Sequence, residues 1–167
     1  DLTAAMGIGS PSLYAAFGSK EALYAEALRH YGEQYEAMVW ANFAAARTAR
    51  EAIEALRMDS AAALTDSCGR EEPLGCMVTL SMAGSEGHAE LGELVRAARF
   101  QGLRRVEERL HRAVATAELS TSVDVPALAR FVLTVRNGMP LQARDGASRE
   151  ELEAVAGLTM SGWDSQV

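Results

Sequence analysis

The sequence lacks the features that mark several large classes of proteins. Its two cysteines, Cys68 and Cys76, are too few for a disulfide framework, and without a C-x-x-C pair a zinc site is not expected. It contains no signal peptide and no apolar run long enough to span a membrane. We therefore expect a cytoplasmic protein with reduced cysteines, no membrane contact and no metal or other cofactor.

Lysine is almost missing as well, since Lys20 is the only one among 167 residues. Arginine supplies nearly all of the positive charge, and the acidic residues outnumber the basic ones to give a net charge of -7 at pH 7. A charge of this sign repels nucleic acids at long range. Any contact with DNA would therefore have to come from a small local patch.

What the sequence does contain favours a helical fold. Hydrophobic residues make up 49% of the chain and charged residues 23%, which is enough apolar material to fill a core. Alanine and leucine dominate, and runs of β-branched residues, which favour strands, are missing. We predict an all-α protein, either one large domain or a small head on a larger body.

Residues 1–31 predict two short helices joined by a tight turn. Gly7 ends the first helix, because glycine allows the positive φ that such turns often need. The second helix runs over Ser10–Phe17, where Leu13 and Phe17 form one buried stripe and the polar side chains face outward. Two short helices joined in this way are the layout of a helix-turn-helix unit, whose second helix enters the DNA major groove.

The remainder of the chain predicts a series of longer helices. Two of them begin with a capping box, in which a hydroxyl and a carboxylate each accept a hydrogen bond from a free backbone N–H: Thr48 with Glu51, and Ser148 with Glu151. A polar loop is predicted between the second and third of these helices, at residues 66–73. The predicted helices cover residues 20–45, 48–65, 74–82, 89–117, 125–142 and 148–163.

The last two predicted helices carry more apolar surface than one chain can cover. Helix 125–142 has apolar residues on several sides, and a helix that is apolar nearly all round has to be covered on both sides. We therefore predict that these two helices form the interface of a homodimer. The residues assigned to this interface are Leu128, Phe131, Val135, Met139, Leu152, Val155 and Thr159.

No pattern in the chain supports an enzymatic site. Gly7, Gly9 and Ser12 imitate a dinucleotide-binding loop, but no strand precedes them and the third glycine is missing. The G-x-S-x-G and H-E-x-x-H motifs are absent, and the 3 histidines are not clustered. Arginines in helix 89–117 alternate with glutamates at three-and-four spacing, which is typical of a solvated face. We predict neither a catalytic residue nor a metal ligand.

The run GIGSPSLYAAFGSKEAL, residues 7–23, strongly resembles the TetR/AcrR family, the tetracycline-repressor-like regulators of bacteria. The hallmark residues are Gly7, Leu13, Tyr14, Phe17, Ser19, Lys20, Glu21 and Leu23. Beyond residue 31 the resemblance lies in the order of the helices, which suits that family's all-α regulatory body. The family's first helix and the start of its second would precede Asp1, so the resemblance implies a truncated helix-turn-helix head.

The resemblance implies a DNA-binding transcriptional regulator, most often a repressor, that acts as a homodimer on a palindromic double-stranded operator. Residues 1–31 would form part of the DNA-binding domain and continue into a connecting helix at 20–45. Residues 32–167 would form the helical regulatory, ligand-binding and dimerisation domain. Helix Ser10–Phe17 would be the recognition helix, and its hydroxyl groups would be suitable phosphate donors. The residues expected to contact DNA are Thr3, Ser10, Ser12, Tyr14 and Lys20.

The family resemblance also implies a small-molecule effector that binds in the body and releases the operator. Methionine and aromatic side chains on the helices that surround the family's pocket suggest a mainly apolar effector, although each could instead be an ordinary core residue. The residues expected to bind it are Trp40, Phe43, Met58, Met77, Met82 and Phe100. The alternative for the whole chain is a helical ligand- or partner-binding module that does not bind DNA, which the net negative charge favours.

Overall fold

The computed structural model describes residues 2–65, 74–82 and 87–163, apart from the side chain of Glu36. Throughout these residues the regular structure is helical, which confirms the all-α class. None of the described helices is both long and apolar enough to cross a membrane. In chain order the helices are α1 (Leu2–Met6), α2 (Ser10–Phe17), α3 (Lys20–Val39), α4 (Ala41–Ala45), α5 (Ala49–Thr65), α6 (Met77–Leu80), α7 (Ala89–Ala115), α8 (Val125–Arg144) and α9 (Arg149–Trp163).

Helix α5 lies at the centre of the body, where it packs against α3, α4, α7, α8 and α9. Its buried side alternates large and small residues, so that Ile53 and Leu56 fill the core while Ala49 and Ala52 let neighbouring helices approach. Burying one such large aliphatic side chain contributes about 1.5–3 kcal/mol to folding. A second, smaller core lies around Leu64, between α5, α8 and α9.

Both predicted capping boxes are confirmed. At the start of α5 the hydroxyl of Thr48 accepts from the backbone N–H of Glu51 at 3.1 Å, and the Glu51 carboxylate accepts from Thr48 N–H at 3.2 Å. At the start of α9 the corresponding distances for Ser148 and Glu151 are 3.2 Å and 2.8 Å. The hydrogen bonds that the Glu51 carboxylate accepts from backbone N–H groups lower its pKa, because they favour the charged form.

The single helix predicted over residues 20–45 is wrong, because the structure has two helices there. Helix α3 ends at Val39, the chain turns at Trp40, and α4 begins at Ala41. The turn brings Trp40 and Phe43 into the core, where their rings meet edge to face at a centroid distance of 5.2 Å. Burial of two aromatic rings offsets the helical hydrogen bonds that are lost at the turn. Gly102 of α7 lies against the Trp40 ring, at a distance where even a Cβ would make an ordinary van der Waals contact, 3.4 Å from it.

The helix predicted over residues 74–82 is much shorter in the structure, where α6 covers only Met77–Leu80. The guanidinium group of Arg99 on α7 donates hydrogen bonds to the carbonyl oxygens of Val78, Thr79 and Ser81 at 2.9–3.0 Å. These carbonyls therefore have partners without a longer helix. The polar loop predicted at 66–73 lies outside the described residues.

Candidate nucleic-acid interface and internal cavity

Helices α1 and α2 form the compact turn that the sequence predicts. Gly7 adopts a φ of +64°, and the N–H of Ile8 donates to the carbonyl of Thr3 at 3.1 Å to close the end of α1. The bounds of α2 agree with the predicted Ser10–Phe17, and Leu13 is its buried residue. The remaining side of α2 is thereby left facing outward.

The outward side of α2 carries the polar groups expected to contact DNA. Ser10, Ser12 and Tyr14 are all exposed, and the sequences of α1 and α2 contain no charged residue that would repel a phosphate. Gly9 precedes α2 and supplies no side-chain cap, so the first backbone N–H groups of α2 remain available. Free N–H groups at a helix N-terminus favour an anion such as a phosphate.

Lys20 is exposed at the first position of α3, two residues after Gly18, which closes α2. The Ser19 hydroxyl accepts from the Ala22 N–H at 3.0 Å, which caps α3 and fixes its start. A cation at a helix N-terminus is unfavourable by itself, and a phosphate beside it would compensate. Thr3 differs from the other predicted DNA contacts, because it is half-buried and its carbonyl is already bonded within the turn.

Two side-chain contacts join the first turns of α3 to the body. The hydroxyl groups of Tyr24 and Ser81 are 2.7 Å apart, which links α3 to the segment after α6. The carboxylate of Glu21 lies 3.7 Å from the His88 ring nitrogen at the start of α7. A displacement of the α6 segment would therefore reach the end of α3 that lies next to α2.

A partly open cavity of about 100 Å³ lies between α3, the α6 segment, α7 and α8. Its walls combine aromatic rings, small apolar groups and arginines. The residues around it are Gly32, Tyr35, Trp40, Cys76, Val78, Thr79, Ala98, Arg99, Gln101, Gly102, Arg105, Arg136 and Asn137. No aspartate or glutamate occurs among these lining residues.

Two of the arginines lie over one aromatic ring. The guanidinium carbons of Arg105 and Arg136 are 5.1 Å and 5.2 Å from the centroid of the Trp40 ring. Arg136 also donates through Nε to the Ser60 hydroxyl at 3.2 Å and lies 5.7 Å from the Tyr35 ring. Burial raises the pKa of the Tyr35 phenol, so it stays neutral at neutral pH and does not cancel the charge of Arg136.

Of the residues expected to bind the effector, the structure brings only Trp40 to this cavity. Phe43 packs in the core, Met77 is half-buried in α6, and the remaining three are exposed on the outer sides of their helices: Met58, Met82 and Phe100. Sequence reasoning missed Tyr35, Arg99, Arg105 and Arg136. Arg136 could have been noticed in the sequence, because it is the one charged residue between Phe131 and Met139 in a mainly apolar stretch.

The predicted interface residues divide into two groups. Met139 and Leu152 belong to the second core of the chain itself, because they lie on the sides of α8 and α9 that face α5. The prediction that Met139 and Leu152 contact a partner subunit is therefore corrected. Leu128 is buried as well, in the main core of the chain. The other four lie at or near the surface: Phe131 and Val155 are exposed, and Val135 and Thr159 are half-buried. Leu158, which was not predicted, is 75% exposed on α9.

A helix-turn-helix unit continuing into one long helix of a helical body with a cavity is the architecture of a DNA-binding regulator. The HTH-type transcriptional repressor ComR of Escherichia coli (strain K12) is 28% identical over 169 residues, a match that covers 100% of this chain and 79% of ComR. A cysteine-substituted form of the TetR family transcriptional regulator CifR, complexed with 26-bp double-strand operator DNA, superposes with a TM-score of 0.88 at 37% identity. That match covers 97% of this chain and 83% of CifR.

A candidate TetR transcriptional regulator from Rhodococcus sp. RHA1 is 35% identical, with a TM-score of 0.66 over 97% of this chain and 85% of that protein. The chain belongs to the TetR family of transcriptional regulators. No model of a protein family matches the sequence. The family resemblance seen at residues 7–23 is thus confirmed over nearly the whole chain.

Proposed function

We propose that this chain is a repressor that binds a palindromic double-stranded operator through α2 and releases it when a small effector occupies the body. The observation that carries the proposal is the outward side of α2, where Ser10, Ser12 and Tyr14 are exposed beside an uncapped helix N-terminus. Lys20 adds a cation at the next helix start. CifR, which shares this fold, was solved on its operator.

We assign DNA binding and effector binding to different parts of the chain. Residues 1–31 bind DNA together with any further part of the head, and residues 32–167 bind the effector and a second copy of the chain. The dimer surface that we propose is the exposed apolar strip on α8 and α9, formed by Phe131, Val135, Val155 and Leu158. Gly162 lies on the same side of α9 as Val155 and Leu158, and the missing side chain there allows a partner helix to approach closely.

Release of the operator requires that the effector favour one of two arrangements of the dimer. The α6 segment contributes Val78 and Thr79 to the cavity wall and Ser81 to the contact with Tyr24. An effector that displaces this segment would tilt α3 and with it α2. The two recognition helices would then no longer match the roughly 34 Å spacing of successive major grooves.

The proposed regulator has no catalytic role and acts in the cytoplasm, where its operator is accessible. The support is chemical: exposed hydroxyl groups and one ammonium group on the head suit phosphate binding, whereas the cavity offers cations and aromatic rings without an acid or base pair. Its partners are the operator, a second copy of the chain and a small molecule.

Replacing Lys20 with alanine is expected to weaken operator binding by roughly tenfold, as for the loss of one charge-assisted contact. The slope of log Kd against log salt should shrink by about one unit per protomer, because each lost phosphate contact releases about one counterion fewer. The measurement is fluorescence anisotropy of the full-length protein on DNA from upstream of its own gene, at several salt concentrations.

The matched control is Arg50→Ala, which removes an exposed cation at the start of α5, beyond the far end of α3. This variant should bind the operator like the wild type. An unchanged salt slope in Lys20→Ala would contradict the phosphate contact. Failure of the wild-type protein to bind any upstream DNA would instead favour the module that does not bind DNA.

A further inference from the structure

The charges around the internal cavity are opposite in sign to the charge of the whole chain. Three arginines line the cavity and no acidic residue does, although the protein carries a net charge of -7. The overall composition of an acidic protein would not by itself produce a cavity lined by positive charges. Its field favours an anion, because an opposite charge in a partly desolvated site interacts more strongly than in water.

Arg136 is the arginine best placed to hold such an anion. It forms no ion pair with any carboxylate in the described part of the chain. Its Nε donates to the Ser60 hydroxyl and the neutral Tyr35 phenol is a second hydrogen-bond partner, so its charge is not neutralised by either. A guanidinium group has five N–H donors in a planar fork that fits both oxygens of a carboxylate. Arg99 is different, since its donors are already bonded to the carbonyls of the α6 segment.

The rest of the cavity suits a small flat organic group. Trp40 and Tyr35 supply aromatic surface, while Val78, Ala98 and Gly102 supply apolar contacts and space. The volume of about 100 Å³ is comparable to that of a compact molecule. We propose that the cavity binds a compact organic carboxylate, with its carboxylate against Arg136 and its apolar part against the Trp40 ring. The inference rests on the proposed function only in treating this ligand as the effector.

Isothermal titration calorimetry of the full-length protein tests whether the cavity binds an organic carboxylate. Three small probes are compared. Benzoate carries both the charge and the flat apolar group, benzamide lacks the charge, and inorganic phosphate lacks the apolar group. We expect benzoate to bind at least tenfold more tightly than either of the other two. If benzamide binds as tightly as benzoate, the charge of the ligand has no role. If phosphate binds as tightly as benzoate, the apolar part of the ligand has no role. If benzoate does not bind, the proposal is wrong.

Arg136→Gln tests the residue, because glutamine keeps a polar side chain and loses the charge. Its benzoate affinity should fall at least tenfold while its benzamide affinity stays within twofold of the wild type. Arg104→Gln, an exposed position on α7 next to Arg105, is the matched control and should leave both affinities unchanged. Unchanged benzoate binding in Arg136→Gln, with a wild-type far-ultraviolet circular dichroism spectrum, would contradict the assignment.

Operator binding is measured separately in the same samples. Benzoate binding by a protein that binds no upstream DNA would contradict the proposed function and support the cavity assignment. Operator binding by a protein that does not prefer benzoate would contradict the cavity assignment and support the proposed function.

Discussion

Leu158→Glu is expected to convert the dimer into a monomer and to lower operator affinity by about a hundredfold or more. The side chain of Leu158 is 75% exposed on α9, in the strip that we propose to meet a second copy. A carboxylate placed there would be buried without a partner in the dimer, which costs about 3–5 kcal/mol. A monomer would also lose the effective concentration that holds the second recognition helix on the operator.

Leu158 is a better position for this test than Phe131. The guanidinium carbon of Arg57 lies 5.8 Å from the Phe131 ring, so a glutamate at 131 would gain a cation to pair with. Between Glu153 and the end of α9 the sequence contains no charged residue that could pair with a glutamate at 158. The cost of burying its charge would therefore remain uncompensated from within the helix.

Sedimentation velocity at micromolar concentration measures the association state of Leu158→Glu, and anisotropy measures its operator affinity. Leu94→Glu is the matched control, since Leu94 is an exposed leucine on α7 outside the proposed strip. It should remain a dimer. A Leu158→Glu protein that still sediments as a dimer would show that another face of the molecule forms the interface.

Arg57→Met is expected to stabilise the protein by about 1–3 kcal/mol, which corresponds to a rise in Tm of roughly 2–10 °C. Arg57 is completely buried in the centre of α5, and its Nε and Nη2 atoms have no hydrogen-bond partner within the described residues. Within the described helices its Nη1 donates to the sulfur of Met160, a weak acceptor, at 3.3 Å. Methionine is shorter than arginine, but it would replace the buried aliphatic stem with an apolar, flexible side chain and remove the buried charge.

The stabilisation by Arg57→Met should depend on pH in a defined direction. Burial lowers the pKa of Arg57 to about 10, so the folded protein holds this proton less tightly than the unfolded chain does. The unfavourable contribution of the charge is therefore complete at neutral pH and weakens as the pH rises through about 10. Urea unfolding at pH 7.5 and pH 10, at one protein concentration, should show a smaller difference between variant and wild type at the higher pH.

Arg109→Met is the matched control for Arg57→Met. Arg109 is also buried, but it donates to the Arg47 carbonyl at 3.0 Å and lies 3.6 Å from the Glu118 carboxylate. Its removal should destabilise the protein by about 1–3 kcal/mol, because the partners would lose their hydrogen bonds. Destabilisation by Arg57→Met as large as that by Arg109→Met would contradict the view that the buried charge of Arg57 is unfavourable.

Local features of this fold could be predicted from the sequence because their causes are local. The two capping boxes need only a hydroxyl and a carboxylate three residues apart, as in Thr48 and Glu51. The bounds of α2 follow from Gly9, Gly18 and the four-residue spacing of Leu13 and Phe17. The family could be predicted for the same reason, since its hallmark residues form one continuous run.

The cavity and the buried arginine could not be predicted in this way, because each depends on residues far apart in the chain. Arg105 lies in a helix whose charges alternate as on a solvated surface, and only the packing of Trp40 against α7 brings it to the cavity. Arg57 follows Leu56 in a helix with charges at ordinary spacing, and helices on several sides of α5 cover it.

The sequence by itself determined the helical class, the capped starts of α5 and α9 and the outward polar groups of α2, since hydrogen bonds and side-chain spacing within a few residues are sufficient for these. Only the tertiary structure decided that the long helix ends at Val39, that Met139 and Leu152 belong to the chain's own core, and that the cavity is cationic. The burial of a side chain depends on what the other helices leave room for, and that is a property of their packing.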